Sequence, residues 1–549
     1  MSASSKKKLR KEQSAAVMTE RQIAEQKEAK KVKIYTVSFV VVIALLLAVA
    51  IFVGVNQTIT NSGMREKNTV AVTVGEHKIS NAELSYFYID AVNKFYSDYG
   101  SYASLFGLDM TKPLNEQYVD EEAGLTWADD FLTSAKNSAK SVYALADAAK
   151  AAGHTLPESA KTQVDNAIAN MAMYATIYGY PNADAYLKAM YGNGASEDDY
   201  RAYMEMSLLA DSYYTEYANS LTYDDAALRE AEAENYNAYS AFSYNYYYLS
   251  ADKFLTGGTT DDEGKTTYSD EEKAASVAAA EAAAKTLVAG EITSVKAFDD
   301  AISALEINAE SETPVTSTLY EDNAYSSITE VLRQWVTDAS RKEGDKTYIA
   351  NSTTSTDAEG NETTTVSGYY VLYYIGTNDN TYPLANVRHI LVNYEGGTTD
   401  EATGSTVYSE EEKAAAKDAA EELLAQWNSG EKTEDSFATL ANENSDDPGS
   451  NTTGGLYENV YPGQMVTNFN DWCFASDRKA GDTGIVDSDY GVHVMYYSGD
   501  SETNYRDHLI STELRNAEME EWYAATVEAL TVTDGDTSFI NKGLVLSTQ

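Results

Sequence analysis

A chain of 549 residues with 86 acidic and 40 basic side chains, net −46, is too long for one hydrophobic core and too acidic to hold nucleic acid or anionic lipid through its surface. Its single cysteine, Cys473, excludes an intrachain disulfide, so stability must come from packed cores. That cysteine sits in Asn470-Asp-Trp-Cys-Phe474 and reads as core.

Residues 1–33 are a basic tail of ten cations and four anions, which leaves −52 for the remainder. Ile34 to Val55 then runs 22 residues without a charge. At ~1.5 Å per residue such a helix crosses a ~30 Å hydrocarbon core. The cationic flank is expected to stay in the cytoplasm, which makes the chain a single-pass protein of the cell membrane with its bulk extracytoplasmic. Ala48-Val-Ala50 has the form of a signal cleavage site, but the long basic region and long apolar run favour an uncleaved anchor.

A mainly helical domain is expected over 68–236. Val70–Val74 alternates like a strand, Gly75-Glu76 makes a turn, and Ser80 with Glu83 opens a helix. The helical pattern persists to about Glu234, with Tyr203, Met206, Leu209 and Ala210 at three- and four-residue spacing. Pro113, Pro157 and Pro181 mark helix boundaries. The many Tyr and Met side chains suit either a groove for unfolded chains or ordinary helix packing.

An internal repeat follows. Gly257-Gly-Thr-Thr-Asp261 recurs as Gly396-Gly-Thr-Thr-Asp400, and Tyr268-Ser-Asp-Glu-Glu-Lys-Ala-Ala275 as Tyr408-Ser-Glu-Glu-Glu-Lys-Ala-Ala415. Each copy places a Ser N-cap before a Glu three residues on (Ser269/Glu272, Ser409/Glu412) and a Gly at the helix end (Gly290, Gly430). Trp335 with Arg341-Lys-Glu-Gly-Asp345 matches Trp472 with Arg478-Lys-Ala-Gly-Asp482, and Gly368–Tyr374 matches Gly491–Tyr497. Two copies of one α+β module are therefore expected, 237–377 and 383–500, each with its first and last strands paired at the centre of a small sheet. Beyond them, 501–549 should fold back onto the helical domain as an amphipathic helix, about 504–530, and a β-prone tail, Phe539 to Leu546.

Two of the five histidines occupy the paired strands of the second module, His389 in Arg388-His-Ile-Leu-Val392 and His493 in Tyr490-Gly-Val-His-Val494. On one face of a sheet they come within hydrogen-bonding range. Without Cys or clustered carboxylates they make a poor zinc site, so no metal is expected; a buried imidazole pair shaping a pocket fits better.

Here the second module resembles the parvulin family of peptidyl-prolyl cis/trans isomerases. His389-Ile-Leu-Val is similar to the family's first-strand signature, and Phe437 to Asp447 to the segment entering the active-site loop. Gly454-Gly455-Leu456 resembles the Gly-rich turn, Gly463-Gln-Met-Val-Thr-Asn-Phe469 the stretch lining the proline pocket, and Tyr490-Gly-Val-His493 the closing strand. The resemblance implies catalytic roles for His389, Asp447 and His493, and an apolar socket for the proline ring formed by Leu456, Met465 and Phe469. The chemistry suits such groups. An X–Pro bond turns over a barrier of roughly 18–20 kcal/mol without any bond breaking, so neither nucleophile nor cofactor is called for. Polar groups that favour the twisted amide by ~4 kcal/mol accelerate it about a thousandfold.

The loop from Tyr394 to Ser409 is acidic and Gly/Thr-rich, which argues against phosphate-directed specificity. In the first module Tyr247 stands near the place of His389, Tyr370 replaces His493, Leu332 replaces Phe469 and the Gly-Gly turn is missing, so that copy reads as catalytically dead. The whole layout is similar to the PrsA and SurA type of exported foldase: an anchor, a chaperone-like helical domain, one degenerate and one complete parvulin module, and a returning C-terminal segment. The implied partners are unfolded or proline-containing exported polypeptides, and a homodimer is compatible with the layout. An anchored holdase or envelope-assembly scaffold without isomerase activity is the alternative.

Overall fold

In the computed structural model, which describes residues 5–7, 20–262, 264–356, 360–400 and 405–546, the apolar run 34–55 lies within one helix, α1 (Glu20–Asn61). Its described side chains stand open, with Leu46 64% and Phe52 71% exposed. Among the described residues no helix is long and apolar enough to cross a membrane. The side chains of 34–41 and of Ala44, part of the expected span, lie outside the described set.

The chain divides into two units, one running to Leu221 and resuming at Ala517, the other spanning Thr222–Asn516. In the first, β1 (Val70–Val74) and β2 (His77–Ser80) form a hairpin ahead of α2 (Asn81–Tyr99). The Ser80 hydroxyl accepts the Glu83 N–H at 3.2 Å, satisfying one of the orphan amides of the first turn. α3 (Trp127–Ala152), α4 (Glu158–Ile177, opened by Pro157) and α5 (Glu197–Ser220) supply the rest of the helical layer. Their buried faces meet Val72, Ile79 and Leu84 in one core.

The C-terminal segment joins that core in a different way from the expectation. The strand is Val532–Asp534, which pairs antiparallel with the free edge of β1, Val72 opposite Asp534. Residues 539–546 form turns, and Ile540, Leu544 and Leu546 are buried among the helices. Leu530-Thr-Val-Thr-Asp534 alternates and can lend one face to a sheet, whereas Asn541-Lys-Gly543 interrupts the tail, which sends Ile540, Leu544 and Leu546 into the core.

The second unit holds two four-stranded antiparallel sheets. One comprises β3 (Ala241–Ser250), β4 (Thr318–Ala324), β5 (Lys346–Thr356) and β6 (Glu362–Asn378) in the order β4-β3-β6-β5. The other comprises β7 (Pro383–Asn393), β8 (Leu456–Val460), β9 (Thr483–Ser488) and β10 (Gly491–Asn504) in the order β8-β7-β10-β9. The repeated sequence thus makes a repeated topology, with first and last strands central. The equivalent helices α6 (Asp270–Ala289) and α7 (Glu410–Ser429) both start on a complete capping box and stop at Gly290 and Gly430.

In the second sheet the pleat sorts side chains to two faces. Ile390, Val492, Val494 and Tyr496 pack against α7 and α8 (Glu434–Asn444). Val387, Met495 and Tyr497 face the short helix α9 (Thr467–Cys473) through Phe469 and Cys473. Burial pushes the Cys473 thiol up to about 12, so it behaves as core.

Helix α10 (Tyr505–Tyr523) follows β10 and begins with Arg506, 1% exposed. Its guanidinium donates to the Glu232 carboxylate at 2.6 Å and to the carbonyls of Tyr236 at 2.8 Å and Asp379 at 2.9 Å. One cation therefore ties the entry and the exit of the first module to the helix that leaves the second.

Candidate active site

β7 and β10 are neighbours in register, with His389 opposite Met495 and Leu391 opposite His493. His389 and His493 are consequently diagonal partners on one face, close enough for long side chains to meet. Their Nδ1 atoms lie 3.0 Å apart, and both residues are buried, 4% and 5% exposed. Asp447 arrives from the loop after α8, where its Oδ2 lies 2.9 Å from His389 Nε2. The glycine pair lets that loop approach. Gly455, at φ +70°, donates its N–H to Ser450 O and accepts from His389 N, and a Cβ there would lie 2.1 Å from the His389 carbonyl oxygen.

Three residues that sequence reasoning passed over complete the network. The Ser450 hydroxyl, fully buried, donates to Asp447 Oδ2; the Tyr457 hydroxyl donates to the same oxygen at 3.0 Å; and Ser488 Oγ lies 2.8 Å from His493 Nε2. Ser450 had a signal in the turn Asp447-Pro-Gly-Ser450, where an Asp side chain holds the following amides, here Gly449 N–H at 3.0 Å. Ser488 and Tyr457 had none in their local sequence.

The ends of this chain of bonds decide its protons. A carboxylate only accepts, so His389 donates through Nε2 and accepts at Nδ1; His493 must then donate through Nδ1 and accept the Ser488 proton at Nε2. One pair of neutral tautomers satisfies the three bonds from Asp447 through the imidazoles to Ser488. Electrostatics agree with it. Burial lowers His389 below the ordinary imidazole range, while burial first and then the neighbouring His389 charge bring His493 down to about 4. Burial opposes the ionisation of Asp447, but bonds from Ser450, His389 and the Gly449 amide outweigh it and hold the carboxyl at about 2. At neutral pH the site is one carboxylate and two neutral imidazoles.

The apolar side of the site is built from α9. The Phe469 ring, 2% exposed, stands edge-on to both imidazoles with centroids 5.4 Å from each. Half-buried Met465 packs in the same cluster, together with Tyr457. Leu456 does not join them. It pairs with Arg388, the side of the sheet whose side chain reaches Glu434 of α8, and its neighbour Tyr457 turns to His389, ring centroids 5.4 Å apart. The assignment of Leu456 to the socket is therefore corrected to Tyr457, because a one-residue slip in a strand reverses the face.

The same correction applies in the first module. Leu372 is the repeat partner of Met495 and pairs with Tyr246, so Tyr246 and not Tyr247 holds the place of His389. Tyr247 points to the helix side, in a core with Phe298 and Val371. Tyr246 meets Tyr370 edge-on at 5.5 Å, and Leu332 is buried beneath them.

Residues 369–498 match the PPIC-type PPIASE domain. The second module is similar to that domain family. The match begins within β6, the last strand of the first module, takes in β7, β8 and β9, and ends within β10. Over 113 residues the chain is 35% identical to Foldase protein PrsA 1 of Listeria innocua and 34% identical to that of Listeria monocytogenes, each alignment covering 21% of this chain. The chain spans 30% of the length of those curated relatives. A solved peptidylprolyl isomerase (PrsA) from Bacillus cereus is similar at 25% identity over 30% of this chain and 57% of that one, with a TM-score of 0.18. PrsA from Bacillus subtilis is similar at 22% identity over 29% of this chain and 54% of that one, with a TM-score of 0.17. The sheet of the second module, as far as Ser498 of β10, lies within the residues matched by the family model, and it carries the histidine network.

Proposed function

We propose that the protein is a membrane-anchored foldase of exported polypeptides, a peptidyl-prolyl cis/trans isomerase and chaperone of the PrsA/SurA kind. The observation that carries this reading is the bonded series Asp447–His389–His493–Ser488 beside Phe469 and Met465. A proline ring seated on Phe469 and Met465 brings its preceding amide against the polar series. Rotation about that bond removes amide resonance and leaves a more basic nitrogen, a C–N bond of single-bond character and a ketone-like carbonyl. Preorganised dipoles that match this twisted state better than the planar one lower the barrier, with no covalent step and no cofactor. His389, Asp447 and His493 serve as the catalytic group, and Met465, Phe469 and Tyr457 as the socket.

The neutrality of the two imidazoles fits this chemistry, since no proton has to be transferred at pH 7. The apolar run 34–55, open along its described part, supports an anchor with the folded units outside the cytoplasm, and the returning segment 517–546 completes the chaperone-like unit. Exposed apolar side chains in that unit, among them Leu105 at 79%, Tyr102 at 61% and Phe106 at 52%, support a chain-holding role beside catalysis, the feature that a pure holdase would also need.

A proline-peptide isomerisation assay tests the reading. The wild-type protein should accelerate cis-to-trans conversion, and His493→Ala or Asp447→Asn should cost at least about tenfold in kcat/KM with the circular dichroism spectrum unchanged. A wild type that gives only the thermal rate, while still suppressing aggregation of an unfolded client, would leave the holdase reading in its place.

A further inference from the structure

Ser488, whose hydroxyl bonds His493, also lines a cavity of about 860 Å³. From the sheet side it is bounded by Asp487 and Asp489, the two neighbours of Ser488 at the β9–β10 turn, and by Asn468 of α9. From the other side come Lys413 and Lys417 of α7, and the rings of Tyr394 and Tyr408, with centroids 5.1 Å apart, supply apolar wall. We infer that this cavity receives a Lys or Arg side chain adjacent to the substrate proline, and so sets the sequence preference of the isomerase site. The inference rests on the isomerase reading above.

Three features point to a cation. First, the carboxylates on the sheet side of the cavity, Asp487 and Asp489 on either side of Ser488, form no ion pair among the described residues. Second, the opposing lysine charge is partly spent: Lys413 is paired with Glu410, another lining residue, at 3.3 Å. Two lysines against three carboxylates leave the cavity net negative, within a chain of net −46 whose field has the same sign. Third, two tyrosine rings offer faces on which a guanidinium or a lysine stem can lie while its charge reaches the carboxylates. An acidic side chain entering from the proline socket would meet Asp487 and Asp489 first.

The test uses the whole protein and chromogenic proline peptides that differ only in the residues flanking proline, which are Arg, Ala or Glu on either side. Arg in one flanking position should raise kcat/KM about five- to tenfold over Ala or Glu. Asp487→Asn/Asp489→Asn should abolish that advantage while leaving the Ala peptide unchanged. Equal rates for Arg and Glu, a Glu preference, or an Arg advantage that survives the double substitution would each overturn the inference. If no peptide is isomerised, the isomerase reading itself has failed. Fluorescence anisotropy with the same labelled Arg and Glu peptides then decides the cavity alone: tighter Arg binding lost in the double variant upholds it, and equal binding overturns it.

Discussion

His493 shows how a single side chain can couple the site to the stability of its sheet. Its folded value of about 4 lies below the ordinary imidazole value of 6.5, so the unfolded chain takes up the proton first as pH falls. Stability is therefore full above about 6.5 and declines progressively toward pH 4. Asp447, held at about 2 against the ordinary aspartate value of 3.8, adds a second loss in the same direction, confined to the range between those two values. Urea midpoints of the protein measured from pH 7.5 down to 4.5 should fall, and His493→Gln should flatten the part of that slope between 6.5 and 4. A wild type whose midpoint is constant over this range would contradict the burial argued for the imidazole.

At the scale of elements, the Gly454-Gly455 turn is what allows the Asp447 loop, β8 and β7 to meet. A Cβ on Gly455 would press on the His389 carbonyl at 2.1 Å, and the φ of +70° adds strain for any L side chain. Gly455→Ala should lower the thermal midpoint of the protein by several degrees and depress peptide isomerisation with it. Gly463→Ala is the control. That residue also has positive φ, +84°, but open space around its Cβ position, so its cost should be limited to about 1 kcal/mol of backbone strain. Equal losses in both variants would mean that conformation, rather than the close approach to His389, is what the turn protects.

Over the whole molecule, two long-range devices organise the units. The first unit borrows Val532–Asp534 for its sheet and Ile540 and Leu544 for its core, although these lie more than 300 residues along the chain from Leu221. The second unit is pinned by Arg506, whose removal would leave the Glu232 carboxylate and the carbonyls of Tyr236 and Asp379 without their shared donor. Arg506→Met should therefore cost about 3–5 kcal/mol, read as a lower denaturant midpoint for the second unit. A stop codon after Asn516 should instead make the first unit sensitive to proteolysis while the prolyl site in the second stays active. Loss of the site on that truncation would show that the two units do not fold as separately as their cores suggest.

Much of this protein was legible without coordinates. A 22-residue uncharged run, a sequence written twice, and Ser-Glu pairs that open helices are local or self-referential signals, and each depends on chemistry within a few residues. The candidate site residues His389, Asp447, Met465, Phe469 and His493 were legible only through the resemblance of their short segments to the parvulin family. Only tertiary structure decided which side of a strand each residue serves. Leu456 gave way to Tyr457, Tyr247 to Tyr246, and the tail strand moved from 539–546 to Val532–Asp534. Ser450 entered the network only once the loop after α8 had closed on His389, and Ser488 only once the β9–β10 hairpin had brought it to His493. Strand side chains alternate every residue, so a reading uncertain by one position carries no information about face until hydrogen bonds to a partner strand set the register.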